Sequence, residues 1–123
     1  MILIGDKNIP FEEISFIENK SQIEDTKPNS TVVFDYDMEL MKYCEQNGIA
    51  YGVVLDSITK AIYSNSLGAK YIVCKKELAK TTQNIATNYM FDSRVLAIIE
   101  NEDEIEELAL KNVDGIIYKG VLV

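Results

Sequence analysis

Five short apolar runs in this chain each end on residues that can carry a charge or hand over a proton. Asp35, Tyr36 and Asp37 follow Thr31–Phe34, and Asp56 with Ser57 follows Tyr51–Leu55. Lys75 and Lys76 follow Tyr71–Cys74, Glu100 and Asn101 follow Val95–Ile99, and Lys119 with Gly120 follows Gly115–Tyr118. Carboxylates, a hydroxyl and a lysine brought to one place could hold magnesium and a phosphoryl group. Oxygen ligands suit the hard ion, and the lysine and hydroxyl take phosphate oxygens. On that chemistry the candidate catalytic residues are Asp35, Asp37, Ser57 and Lys75, and the candidate magnesium ligands are Asp35 and Asp56. The same residue types also have a plain structural use, because helix N-caps favour Asp, Ser and Asn.

Composition removes other chemistries. With no histidine in the chain, Ser-His-Asp and Cys-His catalysis and His-ligated zinc are excluded. Two cysteines are too few for a thiolate zinc site or a disulfide scaffold. Cys44 falls in a helical pattern and Cys74 in a strand, so both read as buried, reduced thiols. The six glycines include no Gly-x-Gly-x-x-Gly and no Walker loop. The expectation is no cofactor, with magnesium as the ion the carboxylates could take; a nucleotide or flavin binder without catalysis is a third reading, which would need phosphate-directed helix N-termini.

The net charge is -8, and Glu100, Glu102, Asp103, Glu104, Glu106 and Glu107 concentrate most of it with no base among them. Such a surface repels nucleic-acid phosphate and anionic lipid, so neither is an expected partner. No apolar run approaches the roughly 18 residues a membrane span needs, and Met1–Gly5 is too short for a signal peptide. The expectation is a cytoplasmic chain.

The candidate residues need elements to position them. At 123 residues and 47% hydrophobic, the chain fits a single domain with a real core. Its apolar runs are continuous rather than alternating, as parallel strands buried on both faces are. Between them lie helical patterns. Met38, Met41 and Cys44 share a face that Gly48 would end, and Ser57 would cap a helix closed by Gly68. Leu78 to Tyr89 marks the longest helix, and Asn101 with Glu104 makes a capping-box start for the last one. The acidic run sits in that helix's first turns, where the macrodipole favours it.

The expected fold is α/β: a three-layer domain over residues 1–123 with an open, mostly parallel sheet, flavodoxin- or Rossmann-like, and helices on both faces. A complete (β/α)8 barrel needs about 200 residues and is excluded, whereas a half-barrel completed by a second copy stays open. Val53–Lys75 and Ala97–Lys119 align without a gap, an echo that fits duplication or two similar βαβ units. At the N-terminus no crossover helix fits between Ile2–Ile4 and Ile9–Phe11, so a β-hairpin is expected there, with Pro10 on an edge. Glu13–Ile17 reads as a further strand, and Ser21 with Glu24 as a short helix ending before Pro28.

Two resemblances bear on function. Residues 31–86 resemble the later part of response-regulator receiver domains. Val32-Val33-Phe34-Asp35 is similar to the strand ending in the phospho-acceptor aspartate, and Leu67 to Lys75 to the Gly-Ala, strand, lysine passage near such a domain's end. That resemblance implies Asp35 as acceptor, Ser57 as switch hydroxyl and Lys75 as the phosphate-contacting lysine. The chain departs from the pattern in lacking a first helix between residues 5 and 13 and a Pro after Lys75. Val32 to Asp37 also resembles the Asp-x-Asp strand of haloacid dehalogenase-type phosphatases, with Ser57 and Lys75 in that family's order. This second likeness implies Asp35 as nucleophile and Asp37 as general acid–base.

Weighed together, these features favour a non-enzymatic regulatory or protein-interaction module that associates with itself or with a protein partner. The runner-up is a magnesium-dependent, phosphatase-like enzyme using the strand-end carboxylates. Under either reading, short crossovers should place Asp35, Asp56 and Lys75 together at the carboxyl ends of neighbouring parallel strands.

Overall fold

The computed structural model describes residues 1–123. Seven strands form one sheet: β1 (Ile2–Ile4), β2 (Ile14–Phe16), β3 (Thr31–Asp35), β4 (Tyr51–Val54), β5 (Tyr71–Lys75), β6 (Arg94–Ile99) and β7 (Gly115–Tyr118). Their spatial order is β1-β7-β6-β5-β4-β3-β2, and every neighbouring pair is parallel. The helices α1 (Met38–Gln46), α2 (Ile58–Ser66), α3 (Lys76–Asn88) and α4 (Ile105–Leu110) connect β3 to β7 in turn. Both segments of the internal echo are thus strand–helix–strand units, β4–α2–β5 and β6–α4–β7.

The α/β architecture with an open, parallel sheet is the layered, flavodoxin-like arrangement read from the sequence, except that the helices expected on both faces pack on one. Its three layers are unequal. Leu40, Met41 and Cys44 of α1, Ala61 of α2, Ala79 and Ala86 of α3 and Leu108 of α4 all pack with Phe34, Val53, Cys74, Ala97 and Ile116 on one face. The helices lie on that face and not on both. When sequential strands are also neighbours, crossovers of one hand all fall on the same side. The second face carries Ile4, Tyr71, Val73, Leu96 and Ile117, and its thin cover comes from Val121 and Leu122. The sheet is curled, so that Ile14 of one edge strand packs into the same cluster as Ile2 of the other.

The expected N-terminal hairpin is absent. β1 pairs with β7 at one edge and β2 with β3 at the other, both in parallel. Ile9–Phe11 forms no strand, and Ile9 and Phe11 stay exposed. Pro10 has no N–H to give a ladder, whereas Ile2 gains β7, where its N–H donates to the Asp114 carbonyl at 2.9 Å. The connection is pinned under the sheet instead. Glu12 accepts from Thr31 Oγ1 at 2.7 Å, from Lys70 Nζ at 2.8 Å and from the Tyr71 hydroxyl. Burial alone would push this carboxyl up, but those donors outweigh it and hold Glu12 below the usual range.

The local signals hold. Asp37 caps α1 by accepting from Leu40 N–H, and Ser57 caps α2 by accepting from Lys60 N–H. Gly48 and Gly68, at φ 64° and 80°, supply the left-handed turns that end these helices. Cys44 and Cys74 are free and fully buried, and burial pushes both thiols up to about 11. Neither thiol will therefore react with a disulfide reagent at mildly alkaline pH until the chain unfolds, and rapid labelling of the native protein would contradict this packing.

Candidate functional site

Strand alternation decides which of the sequence candidates meet. Asp35 continues the Thr31, Val33 series of β3, Asp56 extends the Gly52, Val54 series of β4, and Lys75 ends the Tyr71, Val73 series of β5. In register, Asp35 lies beside Val54 and Val54 beside Val73, while Lys75 lies beside Ile98. Asp35 and Lys75 are thus on the concave face at the carboxyl ends of their strands, and Asp56 follows the carboxyl end of the strand between them.

There the structure has a cleft of about 540 Å³. Val54, Leu55, Leu78 and Ile98 provide apolar lining, and Asp35, Asp56, Lys60, Lys75 and Glu77 provide charge. The expected meeting of Asp35, Asp56 and Lys75 therefore occurs.

The charged groups are not equivalent. Lys60 Nζ is 2.9 Å from Asp56 Oδ1, four residues earlier on the same turn, and lies 5.3 Å from the centre of the Tyr36 ring. The hydrogen bond from Lys60, with its charge, holds Asp56 below the usual carboxylate range. Asp56 is thus lowered by its helical neighbour and not by Lys75. The chain's ion pairs include none made by Asp35, Lys75 or Glu77. These three exposed groups face the cleft with their charges unspent.

Other candidates lie elsewhere. Asp37 borders a separate groove with Glu18, Lys20 and Tyr43, its carboxylate serving the α1 cap. Ser57 Oγ faces Lys60 N–H at 3.2 Å and does not line the cleft. No three Asp, Glu or Cys side chains are grouped to hold a metal ion; Asp35 and Asp56 remain a pair of carboxylates, one already matched to Lys60. Lys76 turns away to α4, 2.9 Å from Glu104 and 3.9 Å from Glu107. The residues that sequence reasoning passed over are Lys60 and Glu77. Lys60 had a readable signal, its i,i+4 spacing from Asp56; Glu77 had none, since only α3 packing on β5 brings it to the cleft.

Glu104 closes the neighbouring turn. It accepts from Glu100 N–H at 2.8 Å and Asn101 N–H at 2.9 Å, the reciprocal half of the capping box read from the sequence. Those backbone donors, with Lys76, lower its carboxyl to about 2. A depressed carboxylate contributes stability that is present above its unfolded pKa, near 4.5, and is lost as pH falls through about 2. In Glu104→Gln the slope of stability against pH across that window should flatten, as read by urea unfolding at several acid pH values.

No protein-family model matches the chain, and no curated protein matches it in sequence at a significant level.

Proposed function

We propose that the protein is a non-enzymatic regulatory or protein-interaction module whose input is a small ligand held non-covalently in the cleft at the ends of β3 to β6. The observation that carries this reading is that two of the four candidate catalytic side chains and one of the two candidate magnesium ligands are already engaged. Asp37 and Ser57 are helix caps, and Asp56 is matched to Lys60. What remains is a binding arrangement of unpaired charge around an apolar lining. The module works in the cytoplasm and reports to a second copy or a protein partner. The exposed Tyr89, Met90 and Leu110 support association. Sedimentation at high concentration should give a species heavier than 13.9 kDa.

The second reading is a magnesium-dependent phosphoryl-handling enzyme. It is favoured by one observation, that Asp35 and Lys75 face the same cleft with neither engaged. In that case Asp35 and Asp56 would supply oxygen ligands, since magnesium is commonly held by one or two carboxylates with its remaining positions on water or phosphate. A thermal-shift screen separates the two, because a ligand that binds only the folded state raises stability by RT ln(1 + [L]/Kd). The module reading expects shifts from small organic ligands that Asp35→Asn or Lys75→Gln weakens. A shift that requires magnesium together with beryllofluoride or acetyl phosphate, and that Asp35→Asn abolishes, would overturn it in favour of the enzyme.

A further inference from the structure

The cleft's unspent charges specify more than a place. Asp35 and Lys75 sit two strands apart, about 10 Å at normal strand spacing, and Lys75 lies further along the strand direction, beside Ile98. They point onto the same concave face yet make no ion pair with each other. Glu77 adds a second unpaired acid on the first turn of α3. The remaining charges, Asp56 and Lys60, neutralise one another. An anion alone would therefore meet one free lysine and two free acids, and a cation alone would leave Lys75 unmatched. A ligand carrying both signs on one end and an aliphatic body on the other would satisfy every feature at once.

We propose, building on the reading of this cleft as a ligand site, that its ligand is a small zwitterion of the aliphatic α-amino acid class. The ligand carboxylate pairs with Lys75, its ammonium with Asp35 and Glu77, and its side chain lies against Val54, Leu55, Leu78 and Ile98. Apolar lining with a few convergent polar groups is what fixes the orientation of such ligands. Charge-assisted contacts at both ends make the pair of charges, rather than either alone, the recognised feature.

The test is a titration followed by two-dimensional amide NMR on the full chain. Its probes are L-leucine, its deaminated analogue 4-methylpentanoate, its decarboxylated analogue 3-methylbutylamine, and magnesium with beryllofluoride. Leucine should perturb residues 35–36, 54–56 and 75–78, and each analogue should bind about tenfold or more weakly. Asp35→Asn should narrow the preference for leucine over 4-methylpentanoate, and Asp35→Asn with Glu77→Gln should bring the two close to equal affinity, while Lys75→Gln should do the same for leucine and the amine. All three positions are exposed, so the variants should keep the wild-type spectrum outside the cleft. If 4-methylpentanoate or the amine binds as well as leucine, the ligand class is wrong and the module reading stands. If leucine is silent and magnesium with beryllofluoride perturbs the cleft, both fall. Silence towards every probe overturns the zwitterion assignment.

Discussion

Replacing Phe34 by alanine should lower unfolding stability by about 3–5 kcal/mol, the usual range for emptying a buried aromatic site. Phe34 is 1% exposed, is the fourth of the five residues of β3 and packs against the helix layer. Its ring stacks on Tyr51 at 5.6 Å between centres and 15° between planes. Tyr51 cannot swing into the space left behind, because its hydroxyl donates to the Leu67 carbonyl at 2.8 Å and ties the ring to the end of α2. The cavity therefore persists, and persistent cavities give the upper part of the range. Against a typical total of about 5–15 kcal/mol, one such change brings the domain close to its limit. Urea unfolding of the variant measures the loss, and a difference below about 1 kcal/mol would mean that this ring is not packed as described.

Gly115→Ala tests the least expected pairing in the sheet. A Cβ built at Gly115 would stand 2.5 Å from the Ile2 carbonyl oxygen and 2.6 Å from Ile2 Cβ, with Leu96 Cδ2 at 2.9 Å. The first of these is backbone and cannot rotate aside, so either β1 moves off β7 or β7 itself shifts. Overpacking of this kind costs about 1–3 kcal/mol. The cost should be localised, because β1 has three residues and its sole partner is β7. Hydrogen exchange is the sharper readout: the Ile4 amide should lose its protection while amides in β4 and β5 keep theirs. Unchanged protection at Ile4 would show that the β1–β7 register is not the one described, Ile2 beside Gly115.

Much of this molecule is written locally. Val32 to Phe34, Ile72 to Cys74 and Val95 to Ala97 are apolar without alternation because both sides of each strand are covered, and that pattern needs no knowledge of neighbours. Asp37, Ser57 and the Asn101–Glu104 pair start their helices through hydrogen bonds spanning three residues, so the sequence alone contains both partners. The meeting of Asp35, Asp56 and Lys75 followed from strand ends and short crossovers, a topological consequence of the same pattern.

Tertiary structure decided the remainder, because the partners involved are far apart in the chain. Ile2-Leu3-Ile4 is equally apolar at every position, so nothing in it says whether its neighbour is Ile9–Phe11 or a strand more than a hundred residues later. The offer of β7 settles it, together with the missing N–H of Pro10. Which sheet face the helices cover depends on strand order, a property of the whole sheet that no single strand carries. Lys75 and Lys76 look interchangeable in sequence. Strand alternation turns Lys75 onto the concave face as a free cation, and the first turn of α3 carries Lys76 to Glu104 on the next unit. Asp35 and Asp37 divide in the same way, one left open at the cleft and the other closed into a helix cap. Residue types and their order specified what chemistry was available; long-range packing determined which of those groups were left free to use it.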